Sequence, residues 1–213
     1  MTVRTIVTAG VAVIGMILAF AAGMAVRPLL VADTVRGTSL TPIEVGYLQD
    51  MIGHHRQAVT MAQIIDRDGV AEPIRGLARR MVQEQSVEIG TMVGFLQLAD
   101  EPIENPRPMA WMHRYAAAGD DLHDHDDGAH EMPGMATVDE VTELGVLDGV
   151  AAENRFLQLM QRHHYGGVAM TQDLLEHGPG SGPVIRLARS VLTAQTQETG
   201  LMSSMLLSRG VVE

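Results

Sequence analysis

The sequence predicts an all-α protein: a four-helix bundle made of two repeated helical hairpins, preceded by one N-terminal transmembrane helix. Three observations carry this reading. First, a block recurs. YLQDMIGHHRQAVTMA at 47–62 returns as FLQLMQRHHYGGVAMT at 156–171, and LARRMVQEQSVEIGTM at 77–92 returns as LARSVLTAQTQETGLM at 187–202. Second, aromatics are 3% of residues while methionine reaches 15 copies, and a core of Ala, Leu, Val and Met suits helices better than sheets. Third, start and stop signals bracket each repeated element at helical length.

At the N-terminus, residues 6–26 (IVTAGVAVIGMILAFAAGMAV) carry no charge and lie between Arg4 and Arg27. As a helix they span about 31 Å at 1.5 Å per residue, enough to cross a bilayer core. Ala19-Phe20-Ala21 resembles a signal cleavage site, but the apolar run continues past it. The expectation is an anchor within residues 1–31, single-pass in the cell membrane, with the bundle on the extracytoplasmic side. Secretion after signal cleavage is the alternative. A polar linker follows at 32–41.

The bundle is expected over 42–209: repeat one at 42–99, a crossover loop at 100–136 and repeat two at 137–209. Thr41-Pro42-Ile43-Glu44 combines an N-cap, a proline at the first helical position and a capping-box glutamate. The first helix is read from 42 to 67, ending at Asp68-Gly69. Pro73 opens the second, which runs to Ala99. Thr137-Val138-Asp139-Glu140 is another capping box and starts a short helix to Leu147. The third long helix spans 150–176, and the fourth 184–208 follows the turn GPGSGP. One hairpin cannot bury its apolar stripe alone, whereas two packed together can.

Charge and composition exclude several functions. The net charge of −11 argues against nucleic acid as a partner. The absence of cysteine removes disulfides, thiolate zinc sites and thiol catalysis together. Any soft metal ligand must be a thioether.

Positions i, i+3, i+4 and i+7 share a helix face. Met51, His54, His55, Ala58 and Met61 form one such stripe, and Met160, His163, His164, Gly167 and Met170 form its copy. The partner helices carry Met81, Gln85, Glu88 and Met92, then Gln195, Glu198, Met202 and Met205. These stripes must face inward, because the charged residues lie opposite. A buried carboxylate needs a partner, and for Glu88 and Glu198 the histidines across the hairpin are nearest. Adjacent histidines sit about 100° apart on a helix, so one of each pair aims at the bundle axis and the other at a neighbouring helix.

Two readings of these stripes stand side by side. In one, the polar side chains form a buried network that fixes helix register, and the methionines are flexible filler. In the other, Met51, His54, His55, Met61, Met92, Met160, His163, His164, Met170 and Met202 are metal ligands. Gln85, Glu88, Gln195 and Glu198 then orient them from behind. Thioether with imidazole suits Cu(I), with Cu(II) or Zn(II) competing at the histidines. The crossover loop adds His113, His123, His125, His130, Met132 and Met135 among carboxylates. It reads equally as a solvated acidic loop or as a loose collector of ions.

In order and spacing, M-x2-HH-x2-A-V-x-M-A, then L-A-x6-Q-x2-E-x3-M, then H-E-M-P-G-M and a second M-x2-HH resemble the domain of unknown function 305 family. The resemblance covers about residues 43–207. It implies a ferritin-like four-helix bundle, usually exported, with some members implicated in copper binding and copper resistance. Thr171 departs from the alanine of copy one, Val191 stands where copy one has Met81, and Gly166-Gly167 replaces Gln57-Ala58. The glycine pair is expected to let a neighbouring helix approach closely.

The preferred function is therefore extracytoplasmic copper binding, buffering or delivery. One rival is a scaffold or accessory subunit that docks on a membrane or envelope protein, its histidines being structural. The other is a metal-dependent oxidoreductase, for which the sequence shows neither an open coordination position nor a substrate pocket.

Overall fold

The computed structural model describes residues 39–112, 132–180 and 182–211. Its helices are α1 Pro42–Ile65, α2 Glu72–Leu98, α3 Val138–Val146, α4 Gly149–His177 and α5 Pro183–Ser208, and the described residues contain no strand. The expected anchor and most of the linker fall on residues 1–38, outside the described residues. Among the described residues, no helix is long and apolar enough to cross a membrane.

Local chemistry sets the helix ends. At α1 the Glu44 amide donates to Thr41 Oγ1 (3.4 Å) and the Thr41 amide donates to Glu44 Oε2 (2.9 Å). The same reciprocal pair starts α3, with Thr137 and Glu140 at 3.2 and 2.9 Å. α2 carries a proline at its second position and α5 at its first, and neither has a side-chain cap. For α2 a long-range contact substitutes: the Ala71 amide donates to Glu153 Oε1 of α4 at 2.7 Å. Glu153 Oε2 in turn accepts from Arg209 at 2.7 Å, so one buried carboxylate ties the start of α2 to the residue after α5. α1 stops two residues sooner than expected, at Ile65, and the chain turns through Gly69 at φ +87°.

α1 packs on α2 and α4 on α5. The hairpins then join mainly along α1 and α4, while α2 and α5 scarcely touch. Two apolar clusters fill the interior. One holds Met61, Ile65, Met81, Phe156, Met160, Met202 and their neighbours. The other holds Tyr47, Leu48, Met51, Met92, Met170 and Leu174. The departure at Thr171 has a reason here. Buried Tyr47 needs a partner for its hydroxyl, and Thr171 Oγ1 lies 3.2 Å from it. In the other cluster the equivalent residues are Phe156 and Ala62, which need no hydrogen bond.

The crossover is fastened to α1 at both ends. On the way out, buried Asp50 accepts from the Met109 amide (2.7 Å), Trp111 Nε1 (2.7 Å) and Asn105 Nδ2 (3.0 Å). Trp111 sits edge-on to Tyr47, with ring centroids 5.7 Å apart, and covers Gly46, where a Cβ would fall 2.6 Å from the indole. On the way back, the Gln57 amide clasps Ala136, donating to its carbonyl at 2.8 Å and accepting from its N–H at 2.7 Å.

Three donors converge on Asp50, and a lost acceptor strands each of them. Asp50→Ala is expected to cost about 2–4 kcal/mol of stability. The check is a lower urea midpoint together with a red shift of Trp111 fluorescence, which is readable because the chain has one tryptophan.

Candidate metal centre

A polar layer separates the two apolar clusters. It consists of His54 and His55 from α1, Gln85 and Glu88 from α2, His163 and His164 from α4, and Gln195 and Glu198 from α5. All but Glu88 are buried. The adjacent histidines divide as helix geometry requires. His54 and His163 meet across the α1–α4 contact, with ring centroids 3.7 Å apart and planes tilted by 33°. His55 and His164 face their own hairpin partners. Each donates its Nε2–H to a carboxylate at 2.7 Å, His55 to Glu88 and His164 to Glu198.

The ring nitrogens can be assigned from their neighbours. His54 Nε2 lies 3.1 Å from the Pro133 carbonyl. A carbonyl only accepts, so Nε2 carries the proton and Nδ1 keeps a free lone pair. The glutamates place the proton of His55 and His164 in the same way. Nδ1 of all four histidines, and Nε2 of His163, have no hydrogen-bond partner. Both ends of the Gln85 and Gln195 amides and Glu198 Oε1 are also unpartnered. Among the described residues, twelve buried side-chain nitrogen and oxygen atoms lack partners; apart from Arg67 Nε and Gln161 Oε1, all lie in this layer. Buried polar groups left unsatisfied cost about 1–3 kcal/mol each, and they are concentrated in this one layer.

Burial, reinforced by neighbouring imidazoles, holds His54 down at about 3 and His163 well below the ordinary histidine value. Both rings are therefore neutral at neutral pH, the form in which imidazole binds metals. Nitrogen donors tied through their far N–H to an oxygen are a common arrangement for metal-binding histidine. In chemistry the donor set fits a soft or borderline ion. Among the described residues, no three His, Asp or Glu side chains converge on one point as a ready chelate.

The methionines divide differently from the sequence pattern. Met51 and Met61 flank the same histidines in sequence but lie in opposite clusters. Met51, Met92 and Met170 share one, and Met61, Met160 and Met202 share the other. Exchanging the repeats maps one trio onto the other, so each trio is drawn from both hairpins. Met81 joins the second trio's cluster, while its counterpart Val191 brings no sulfur. Met132 is half-buried against the first cluster. Met135 is also half-buried, and its carbonyl accepts from Arg162 at 3.4 Å. His113, His123, His125 and His130 lie outside the described residues.

The glycine pair serves another purpose than the expected close approach of a helix. A Cβ at Gly166 would fall 1.8 Å from the Pro133 carbonyl oxygen, and one at Gly167 would fall 2.3 Å from Gln195 Oε1. The space admits the returning crossover backbone and a side-chain amide. Gly134, at φ +77°, presses on the Arg162 carbonyl of the same helix. Pro133 is thus a positioning residue that residue-type reasoning missed, because its backbone oxygen does the work. The H-E-M-P-G-M motif was the available signal.

Two outcomes are expected. The unfolded chain protonates His54 and His163 near ~6.5, but the fold protonates His54 only at about 3. The contribution of His54 is complete above pH ~6.5 and lost as pH falls from there toward 3, with a slope of about 1.4 kcal/mol per pH unit in that window; that of His163 is lost in the same direction. Urea midpoints from pH 7 to 4 test this against a His54→Gln/His163→Gln variant, whose profile is flatter. Gly166→Ala should cost about 2–3 kcal/mol and free the His54 N–H, visible as a shift of its Nε2 resonance in nitrogen NMR.

Comparison with known proteins agrees with this architecture. The family model described as Domain of unknown function (DUF305) matches residues 44–206. A DUF305 protein from Streptomyces coelicolor, provisionally assigned as secreted, is 38% identical, with a TM-score of 0.68 over 80% of this chain and 94% of that one. A DUF305 fragment from Deinococcus radiodurans is 32% identical, with a TM-score of 0.61 over 79% of this chain and 97% of that one. CopM in its Cu(I)-bound form shares the fold at 17% identity, with a TM-score of 0.56 over 78% of this chain and 96% of that one. No curated protein matches the chain. The chain belongs to the DUF305 family.

Proposed function

We propose that this DUF305 protein binds copper, Cu(I) in preference to Cu(II) or Zn(II), and buffers, stores or delivers it outside the cytoplasm. The observation that carries the reading is the set of four buried imidazoles whose Nδ1 atoms are all uncommitted. Three of them are held from behind by an oxygen on Nε2. A network that only fixed helix register would satisfy its members, since a half-satisfied buried network is costly. Methionine trios on both sides of the layer supply sulfur, which Cu(I) favours and hard ions avoid. CopM has been obtained with Cu(I), Cu(II) and silver, which supports the choice of metal. Extracytoplasmic placement rests on the apolar stretch at 6–26.

The residues assigned to copper are His54, His55, His163 and His164 with Met51, Met92 and Met170 on one side and Met61, Met160 and Met202 on the other. Glu88, Glu198 and the Pro133 carbonyl hold the rings. Bound copper would supply the polar partner that the Nδ1 atoms lack, and so would stabilise the fold. At free copper one hundred times Kd the gain is about 2.7 kcal/mol.

The test is anaerobic Cu(I) titration of the purified chain against a competing chelator. Glu198→Gln is expected to weaken Cu(I) by about 10–100-fold, and His54→Ala/His163→Ala to lower the bound equivalents. Silver should behave like Cu(I), and Mg(II) should leave thermal stability unchanged. Equal copper content in the wild type and the double variant, with both folded, would assign the layer to helix register instead.

A further inference from the structure

The two apolar clusters close the polar layer at both ends along the bundle. On the α1–α4 side, the returning crossover lies over it through Pro133 and Gly134. The remaining side differs. α2 and α5 stand apart, leaving a groove of about 700 Å³. Its walls carry Glu84 and Glu88 from α2 and Glu198 from α5, with Arg80 as the cation among them.

These carboxylates connect surface and interior. Glu88 and Glu198 line the groove and also bond the buried His55 and His164 at 2.7 Å. Each glutamate is thus one hydrogen bond away from an imidazole of the layer. Glu198 is only 8% exposed, and its Oε1 is buried without a hydrogen-bond partner. Glu84 stands beside Glu198 across the groove, close enough for the two like charges to disfavour each other. An exposed carboxylate at the rim of a cleft, backed by a buried one, concentrates cations there. The repeat does not require Glu84, because its counterpart in the second copy, by the register that pairs Gln85 with Gln195, is Ala194.

We propose that the α2–α5 groove is the route by which hydrated metal cations enter the bundle, received by Glu84, Glu88 and Glu198 and passed to the imidazole layer behind them. The proposal rests on the copper reading only for what lies at the end of the route. The carboxylates form a point of transit and not a fixed chelate. Oxygen donors exchange aquated divalent ions readily and hold them loosely, whereas nitrogen and sulfur deeper in retain copper.

The experiment compares wild type, Glu84→Gln and an exposed control, Glu104→Gln, all verified as folded by circular dichroism. Aquated Cu(II) uptake is followed by stopped-flow quenching of Trp111 fluorescence. Glu84→Gln is expected to slow uptake about tenfold and to weaken its dependence on ionic strength, with the final copper content retained. Glu104→Gln should match wild type. Ala194→Lys, which places a cation in the groove, should slow uptake further. Unchanged rates in both groove variants would overturn the proposal. A second arm uses Mn(II), a hard ion that the Met/His set does not retain. Its paramagnetic broadening should centre on amides of α2 and α5 around Glu84 and Glu198 and vanish in Glu84→Gln. If wild type takes up no copper, the copper reading fails, and this arm still decides the route: broadening absent or centred elsewhere rejects it.

Discussion

Four imidazoles are buried across the middle of a bundle, and the rest of the structure is arranged around holding them in place. His54 and His163 are stacked at 3.7 Å between centroids. Two protonated rings so close and so deep would repel each other with little solvent to screen them, so neutral rings are favoured there. Neutral imidazole has one donor and one acceptor. Wherever the structure provides an oxygen for the donor, the acceptor is left over. In His54 a carbonyl takes the donor, in His55 and His164 a carboxylate takes it, and in all three Nδ1 is left without a partner.

The crossover follows from the same constraint. His54 points away from its hairpin partner, so no glutamate of α2 can serve it. The acceptor comes instead from Pro133, brought down onto α4 where Gly166 leaves no side chain in the way. Gln57 then clasps Ala136 and fixes the approach of that backbone. At the other end, Asp50 gathers three donors of the departing crossover. Burial raises the Asp50 carboxyl while those donors lower it, the balance expected of a buried acid retained to organise a loop. Fixing both ends on α1 holds the Pro133 carbonyl in register with His54.

Much of this was legible from residue types. Thr41 and Thr137 with their glutamates marked helix starts, because capping chemistry is local. The Glu88–His55 and Glu198–His164 pairs followed from needing a partner for a carboxylate on an inward stripe. What could not be read depended on atoms or packing that no single repeat contains. The methionine trios arise because α1 and α4 meet with one repeat reversed on the other, which sends Met51 to Met170 and Met61 to Met160. Glu84 carried no signal in the repeat pattern, because its role depends on the packing of α5, which brings Glu198 to the same groove. Thr171 looked like a blemish in the repeat until Tyr47 was found against it.

The two halves are symmetric in imidazoles and carboxylates but not in their surroundings. The Met61 side is lined by Met81, Phe156 and Ala62, all without polar atoms except sulfur. The Met51 side carries the Tyr47–Thr171 hydroxyl pair and the half-buried Met132. Met81 of α2 joins the trio on the Met61 side, whereas Met109, Met112 and Met132 of the crossover join the trio on the Met51 side. The Met51 side lies nearer the returning crossover, whose Met132 methyl would sit 3.5 Å from a Cβ built on Gly53. The duplication is thus kept in the polar layer and relaxed in the apolar clusters on either side of it.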